Sequence, residues 1–484
     1  MLFPQQTSAQ FHYDARTIGM GGTGVASAVG VAAVRHNPAN IMIYERPQRW
    51  NLTFGQVGYL YSGGIRSDDL ADVHRYLYAF DSSMPLQEFN YATSRSTLLQ
   101  DRYSDGNRDY SSLHTLDALV FALSFTGKNS SFALSHFIRG ENQYTVGRGW
   151  YNPEGLSIDN LLITDRRFSQ QYNLRHEIGF TMASENQLIS GWLSDLSKIY
   201  VGFSARLILP LSYADLELRS VYATGESSQT LTHQGQFTSV SAGAVTDILE
   251  GKSGLNPADL SNISGIGGGF DLGVTYIIGF GGDVSLTGGK PIPTRNSIRI
   301  SASLTDIGFI SYNKNLGAQN TDEQTRVLAR SALPGEAKSF EYSGNPVDFR
   351  RFTDGILENG IIEQATSTPT DVYRVLMPAR ANAGIAFQVS RLTVGAEVQR
   401  PLKSLTDHPA QTTAHVGGEL RLLKTIPLRA GMSFERDTPV RYHAGAGLDF
   451  RVFTLSAAVV VRSPELTGQL RAEMVAVTGL QVRF

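Results

Sequence analysis

Three glycines, Gly19, Gly21 and Gly24, stand at the spacing G-x-G-x-x-G, and Glu45 follows about twenty positions later. That pattern could cradle a dinucleotide pyrophosphate, with the carboxylate on the ribose. The chemistry needs a buried strand ahead of the first glycine and a βαβ unit around it. The stretch FHYDART is polar and antiparallel β patterns follow, so the fingerprint lacks its setting. Asp101, Asp105 and Asp109 in DRYSDGNRDY could hold a calcium ion, but their spacing misses the EF-hand and suits a solvated loop. The histidines are scattered, with no H-E-x-x-H pair. His136, His176 and His415 could serve a hydrolase at a barrel rim, and equally could be surface or lumen side chains without that role. The absence of cysteine removes disulfides, thiolate metal sites and thiol nucleophiles. A net charge of -2 offers no basic face for nucleic acid. No catalytic residue, metal or cofactor is expected.

The dominant signal is alternation. Period two turns successive side chains to opposite faces of a strand. Ala414, Val416, Gly418, Leu420 and Leu422 alternate with His415, Gly417, Glu419 and Arg421. The segments beginning at Leu392, Ile426, Val440, Phe453 and Leu470 behave in the same way. No run of 18 apolar residues exists for a membrane helix. A membrane barrel crosses with strands instead, apolar outside and polar within. A soluble sandwich would carry more Lys and Glu on its wet face, where this chain has Gly, Ser, Thr and scattered charges.

Earlier strands are expected at 50–61, 115–126, 130–139, 172–183, 199–209, 268–278, 297–310 and 379–389. A weaker one lies at Tyr213–Tyr222. Barrels of this kind have long loops on one side and short turns on the other. Setting the weak segment aside restores that alternation. The reading is an all-β, transmembrane, antiparallel up-and-down barrel of about 14 strands. Its long external loops are 62–114, 140–171, 210–267 and 311–378, and both termini are periplasmic. Residues 1–9 read as the remnant of a signal peptide, 10–45 as a small N-terminal hatch in the lumen, and 46–484 as the barrel. The closing strand pairs with the first, since an open edge in lipid leaves backbone groups unsatisfied.

The stretch ARTIGMGGTGVASA…VRHNPAN resembles the N-terminal signature of the long-chain fatty-acid transporter (FadL-like) superfamily of outer-membrane barrels. The resemblance implies a hatch carrying Gly19, Met20, Gly21, Gly22 and Asn37, Pro38, Ala39. GIGGGFDLGVTYIIG, NSIRISASLTDIGFISYNK and VGGELRLLKTIPLRAGMSF are similar to an uncharacterised Bacteroidota branch, itself similar to the type IX secretion shuttle barrel. Phe484 resembles the C-terminal signal read by the barrel assembly machinery.

Glu397, Glu419, Arg421, Arg429, Glu435, Arg441 and Asp449 fall on the polar, lumen side of their strands. Mixed signs fit a cross-strand ion-pair ladder that docks the hatch, or a lined permeation path. Leu70, Val73, Leu77 and Phe80 lie on one helical face and could form a loop latch for a hydrophobic ligand. The expected partners are the bilayer, the assembly machinery, and a hydrophobic ligand or a secreted protein. The functions in view are transport or capture of hydrophobic or small organic compounds, anchoring or shuttling of secreted proteins, and, last, barrel hydrolysis.

Overall fold

The computed structural model describes residues 14–43, 49–63, 110–127, 129–146, 157–158, 161–190, 197–224, 230–243, 245, 262–280, 296–313, 328–332, 338–341, 365–369, 372–402, 412–423, 425–436, 440–450, 452–462 and 471–483. Fourteen antiparallel strands close into a barrel. They are β1 (Trp50–Gly63), β2 (Tyr110–Thr126), β3 (Ser130–Val146), β4 (Leu161–Glu185), β5 (Ser197–Thr224), β6 (Gly265–Gly279), β7 (Asn296–Asn313), β8 (Arg380–Val389), β9 (Leu392–Pro401), β10 (Thr413–Leu422), β11 (Ile426–Glu435), β12 (Arg441–Asp449), β13 (Phe453–Arg462) and β14 (Arg471–Arg483). Each strand pairs with the next, and β14 returns to β1 through Leu52↔Val482 and Leu60↔Met474. The described backbone thus has no open edge between its first and last strands, as hydrocarbon requires.

Alternation sets the two surfaces. Val416, Leu420, Leu428, Met432, Val394 and Leu455 point outward and stay exposed. Their neighbours His415, Glu419, Arg429 and Glu397 point inward and are buried. At the end of the short turns, aromatic side chains meet as Trp50–Phe125 (4.8 Å), Phe280–Phe387 (5.5 Å) and Phe450–Phe453 (4.8 Å). Amphipathic and aromatic rings collect where a bilayer meets water.

Several strands outrun the expected bounds. β3 continues to Val146, and β4 starts at Leu161, so the loop expected at 140–171 is shorter. Tyr213–Tyr222, expected in an external loop, is the upper half of β5. It adds no strand to the barrel, because β5 changes partner. Residues 197–208 pair with β6, and 212–224 pair with an extra strand at 230–243. The switch falls at Pro210, whose missing N–H ends the ladder there. The expected loop 311–378 contains strands at 328–332, 338–341, 365–369 and 372–376. Polar, weakly alternating sequence hid these extensions. Leu70, Val73, Leu77, Phe80, Phe484, Glu45 and residues 1–9 lie outside the described residues.

Outward charge is the most direct probe of the apolar band. Val416→Arg should destabilise the barrel refolded into lipid vesicles by roughly 2–4 kcal/mol. A urea titration of refolded protein checks this, and a cost near zero would argue for a wall that does not face lipid.

Candidate functional site

Residues 14–43 fill the lumen. The helix α1 (Ala15–Gly19) begins at Asp14, whose carboxylate accepts from the Arg16 and Thr17 amides. Two 3-10 turns follow, Gly30–Arg35 and Pro38–Met42. Asn37 starts the second turn, accepting from the Ala39 amide at 3.0 Å with Pro38 in the first position.

The expected hatch glycines sit against the wall. Gly21 and Gly22 have φ of 76° and 90°, a conformation only glycine adopts cheaply. Gly21 lies on the backbone of Val416 and Met432. The wall answers with glycines of its own. A Cβ at Gly417 would strike Met20, at Gly431 it would strike Gly21, and at Gly445 it would press on Gly19. Gly202 likewise receives Ala39, and Gly273 receives Asn37. Glycine on the inward face of β5, β6, β10, β11 and β12 therefore marks where two backbones meet. The signal was present in the alternation, as glycines on the polar face, but its meaning needs the partner segment.

Directional bonds join hatch to wall around the circumference. One oxygen of Glu397 accepts from the Gly24 and Val25 amides at 2.6 and 2.8 Å. Thr275 donates to Asn40 at 2.5 Å, and Ser303 donates to the His36 carbonyl at 2.6 Å. His415 Nδ1 lies 2.7 Å from the Gly21 carbonyl, and His443 Nδ1 lies 2.9 Å from that of Ile18. A carbonyl only accepts, so both Nδ1 atoms carry the proton.

The lumen charges form two clusters and a separate Glu435–Arg441 pair. Glu419 joins Arg429 (2.8 Å), Arg421 (2.9 Å) and the hatch residue Arg16 (3.2 Å). Asp449 joins Arg421 (2.5 Å) and Arg483 (2.8 Å), and Glu435 reaches Arg441 (3.4 Å). All seven expected lumen residues thus face inward. Glu397 is separate from the ion clusters and binds hatch backbone.

The second cluster was not anticipated. Glu177 on β4, 1% exposed, meets Arg175 (2.9 Å), Arg206 (3.0 Å), Arg139 (3.4 Å) and the hatch residue Arg35 (3.4 Å). Arg206 continues to Asp271 (2.7 Å) and Asp306 (2.8 Å), and Arg380 also binds Asp306. Asp306 has φ 58° within a bulge where Thr305 and Asp306 oppose Asp271. Asp271, on β6, and Asp306 were in view only inside family-like strings. Arg35 stacks its guanidinium 3.9 Å from the Phe137 ring centre.

On the far side of this cluster from the short turns, the lumen wall turns apolar. Ile208, Tyr213, Ala242, Ile310, Tyr312 and Met377 pack together, with Tyr373 and Val375 alongside. Tyr213 lies 4.8 Å from Tyr312 and 5.6 Å from Tyr373, ring centre to ring centre.

A Ser–His pair does exist. Ser433 Oγ lies 2.9 Å from His443 Nε2, within reach of general-base geometry. Yet both are buried, and the group that orients the imidazole is the hatch carbonyl of Ile18. Substrate cannot enter while the hatch is seated, and moving the hatch removes the orienting bond. His136 and His176 face outward, and His415 faces the hatch. Among the described residues, no group of three or more His, Asp or Glu is placed to hold a metal.

A family model described as a family of unknown function, DUF5723, matches residues 115–458. The chain belongs to this family. No curated protein matches it. Among solved structures, the toluene transporter TbuX of Ralstonia pickettii is 14% identical over 98% of each chain, with a TM-score of 0.48. The toluene transporter TodX of P. putida is 13% identical over 98% of each chain, at 0.44. The monoaromatic hydrocarbon channel CymD is 12% identical over 98% of this chain and 97% of that one, at 0.46.

Two measurements test the seating. Gly431→Leu should displace the hatch without opening the barrel. Trypsin should then cut at Arg16 and Arg35 while heat-modifiable gel mobility is kept. Acid should act through His36. Burial holds its imidazole down to about 4, opposed by Asp14 and aided by Arg380 and Arg35, against an ordinary 6.5. The seated hatch prefers the neutral ring, so this contribution is complete above about pH 6.5 and declines as pH falls toward about 4. Trypsin-independent probes such as amide exchange should show more hatch opening at pH 5 than at pH 7, and His36→Gln should shrink that difference.

Proposed function

We propose that the chain is an outer-membrane barrel that captures and passes small hydrophobic compounds, with the hatch as its stopper. The short turns and both termini are then periplasmic, and the long connections face outward. The carrying observation is the apolar patch of Tyr213, Ile310, Tyr312 and Met377 on the lumen wall. A barrel that passed only water and ions would have little use for tyrosines and aliphatic groups on that face, whereas small-molecule sites are apolar with a few polar groups. The Tyr hydroxyls would supply the polar groups, and the rings an apolar contact.

The glycine seating favours a second reading, a sealed barrel that anchors or shuttles secreted proteins. Planar-bilayer conductance separates the two. A silent intact protein that conducts once residues 10–45 are deleted supports a stoppered lumen and transport. Silence in both, with folding confirmed by gel mobility, supports the sealed anchor. For capture, intrinsic tyrosine fluorescence titrated with benzene-class and alkanol probes should saturate, and Ile310→Asn should weaken the midpoint about tenfold. No saturation with any apolar probe would sink the capture reading.

A further inference from the structure

Arg35 enters the Glu177 cluster from the hatch and is 6% exposed, yet among the described residues none of its side-chain nitrogens makes a hydrogen bond. It stops 3.4 Å from Glu177 and 3.8 Å from Asp117. The wall arginines are held more closely. Arg139, Arg175 and Arg206 donate to Glu177, Arg206 donates also to Asp271, and Arg380 donates to Asp306. Among the described residues, the wall carboxylates of the cluster are Asp117, Glu141, Glu177, Asp271 and Asp306. They face Arg139, Arg175, Arg206 and Arg380, so the wall alone carries one negative charge more than positive. Arg35 balances it. Burial, and next the positive charge of Arg139, hold its guanidinium below the ordinary value. The guanidinium also lies 3.9 Å from the Phe137 ring centre. The wall thus offers two carboxylates and an aromatic face to a cation that fits them loosely.

The apolar patch begins where this seat ends. Ile208 is two positions along β5 from Arg206 and is buried with it. A Cβ at Gly269 on β6 would lie 3.5 Å from Met377 Sδ and 3.6 Å from Arg206 Nη2. Ile310 and Tyr312 follow Asp306 along β7, away from the short turns. The hatch reaches the same carboxylates from the other side, through Arg35. A neutral compound on the patch touches groups that are present whether the hatch is seated or released, and equal binding shifts nothing. A positive head needs the place that Arg35 fills, so it binds the released form better, and such a difference moves a two-state equilibrium. It is also untethered, and closes to hydrogen-bond distance where Arg35 stops short. A negative head would meet the surplus carboxylate once Arg35 had left. A bare metal ion would leave the patch empty.

We propose that the compounds this barrel admits are apolar organic cations, a protonated amine on a hydrocarbon body. The body rests on the Tyr312–Met377 patch, and the ammonium group displaces Arg35 from Glu177, Asp117 and Phe137. This rests on the capture reading and names its ligand class. The experiment titrates the intrinsic fluorescence of the full chain in detergent micelles with hexylamine and with hexanol, its neutral match. Hexylamine should bind about tenfold tighter at pH 7, on the scale of one hydrogen bond to a charged group. Arg35→Ala empties the seat, and should tighten hexylamine by about tenfold again while leaving hexanol unmoved. In the unsubstituted chain, saturating hexylamine should speed hydrogen exchange at the amides of residues 14–43, and hexanol should not. Equal affinities, an Arg35→Ala change that tightens both compounds alike or neither, or hatch exchange unmoved by hexylamine overturns the proposal. Should Arg35→Ala lose heat-modifiable mobility, Phe137→Leu decides instead: it should weaken hexylamine severalfold and spare hexanol, and an unmoved hexylamine midpoint overturns the proposal. Saturation by hexanol with no tighter binding of hexylamine sinks this ligand class and leaves capture standing. Saturation by no apolar probe, charged or neutral, sinks both.

Discussion

A peptide group in hydrocarbon must find its hydrogen bond inside the protein, and most of this structure follows from that demand. A sheet meets it only by closing, and β14 pairs with β1 through residues near the chain's last strand end. Closure at fourteen strands leaves a lumen too wide for wall side chains alone to fill. The chain fills it with residues 14–43. Close packing of a backbone against a wall then selects glycine on both sides, which is why Gly21 faces Gly431 and Gly19 faces Gly445. Membrane outside and segment inside together explain the inverted pattern, in which Val416 and Met432 are exposed and Glu419 and Arg429 are buried.

Burying so many charges is a poor way to gain stability, because desolvation offsets most of the attraction. It is a good way to fix registry. Glu177 accepts four arginines from three wall strands and the hatch, and no neighbouring position along β4 offers the same set. Shifting the hatch by one residue would strand Arg35 among cations. The two clusters sit at opposite ends of the hatch, with Arg16 at Glu419 and Arg35 at Glu177, so they fix both its position and its direction.

Alternation made the barrel, its strand number and the inward charges of β9 to β12 legible, because period two is a local property. The hatch was legible for a different reason. Gly19 to Gly22 and Asn37-Pro38 make a compact signature whose spacing survives without tertiary context. What was hidden depends on pairs distant in sequence. Arg35 and Glu177 are ordinary residues until the hatch lies beside β4. The Asp306 bulge breaks the period and looks like noise in a string. The sequence of the β4 extension carries little alternation, whereas the weak strand at Tyr213–Tyr222 is legible and only its continuity with β5 is not. Ser433 and His443 are ten positions apart on strands already identified, yet a histidine on a polar face gives no hint that it will bond a carbonyl of Ile18.

The same bonds decide what opening would require. A net hydrogen bond contributes about 1 kcal/mol. The bonds from Glu397, Thr275, Ser303, His415 and His443 therefore hold the seated hatch by several kcal/mol before either ion cluster is included. Thermal fluctuation alone would populate a released hatch rarely. A ligand or partner that opens it must bind the open form better than the closed one, by about 5.5 kcal/mol to turn a 1:99 population into 99:1. A small apolar compound resting on Tyr312 and Met377 touches wall residues that are present in both forms, so equal binding there shifts nothing. Its leverage has to come through the Arg206–Asp306–Arg380 group, the polar neighbours that join β5, β7 and β8 to Glu177 and so to Arg35. Strain or repacking at that joint is the physical route by which occupancy of the apolar patch could reach the stopper.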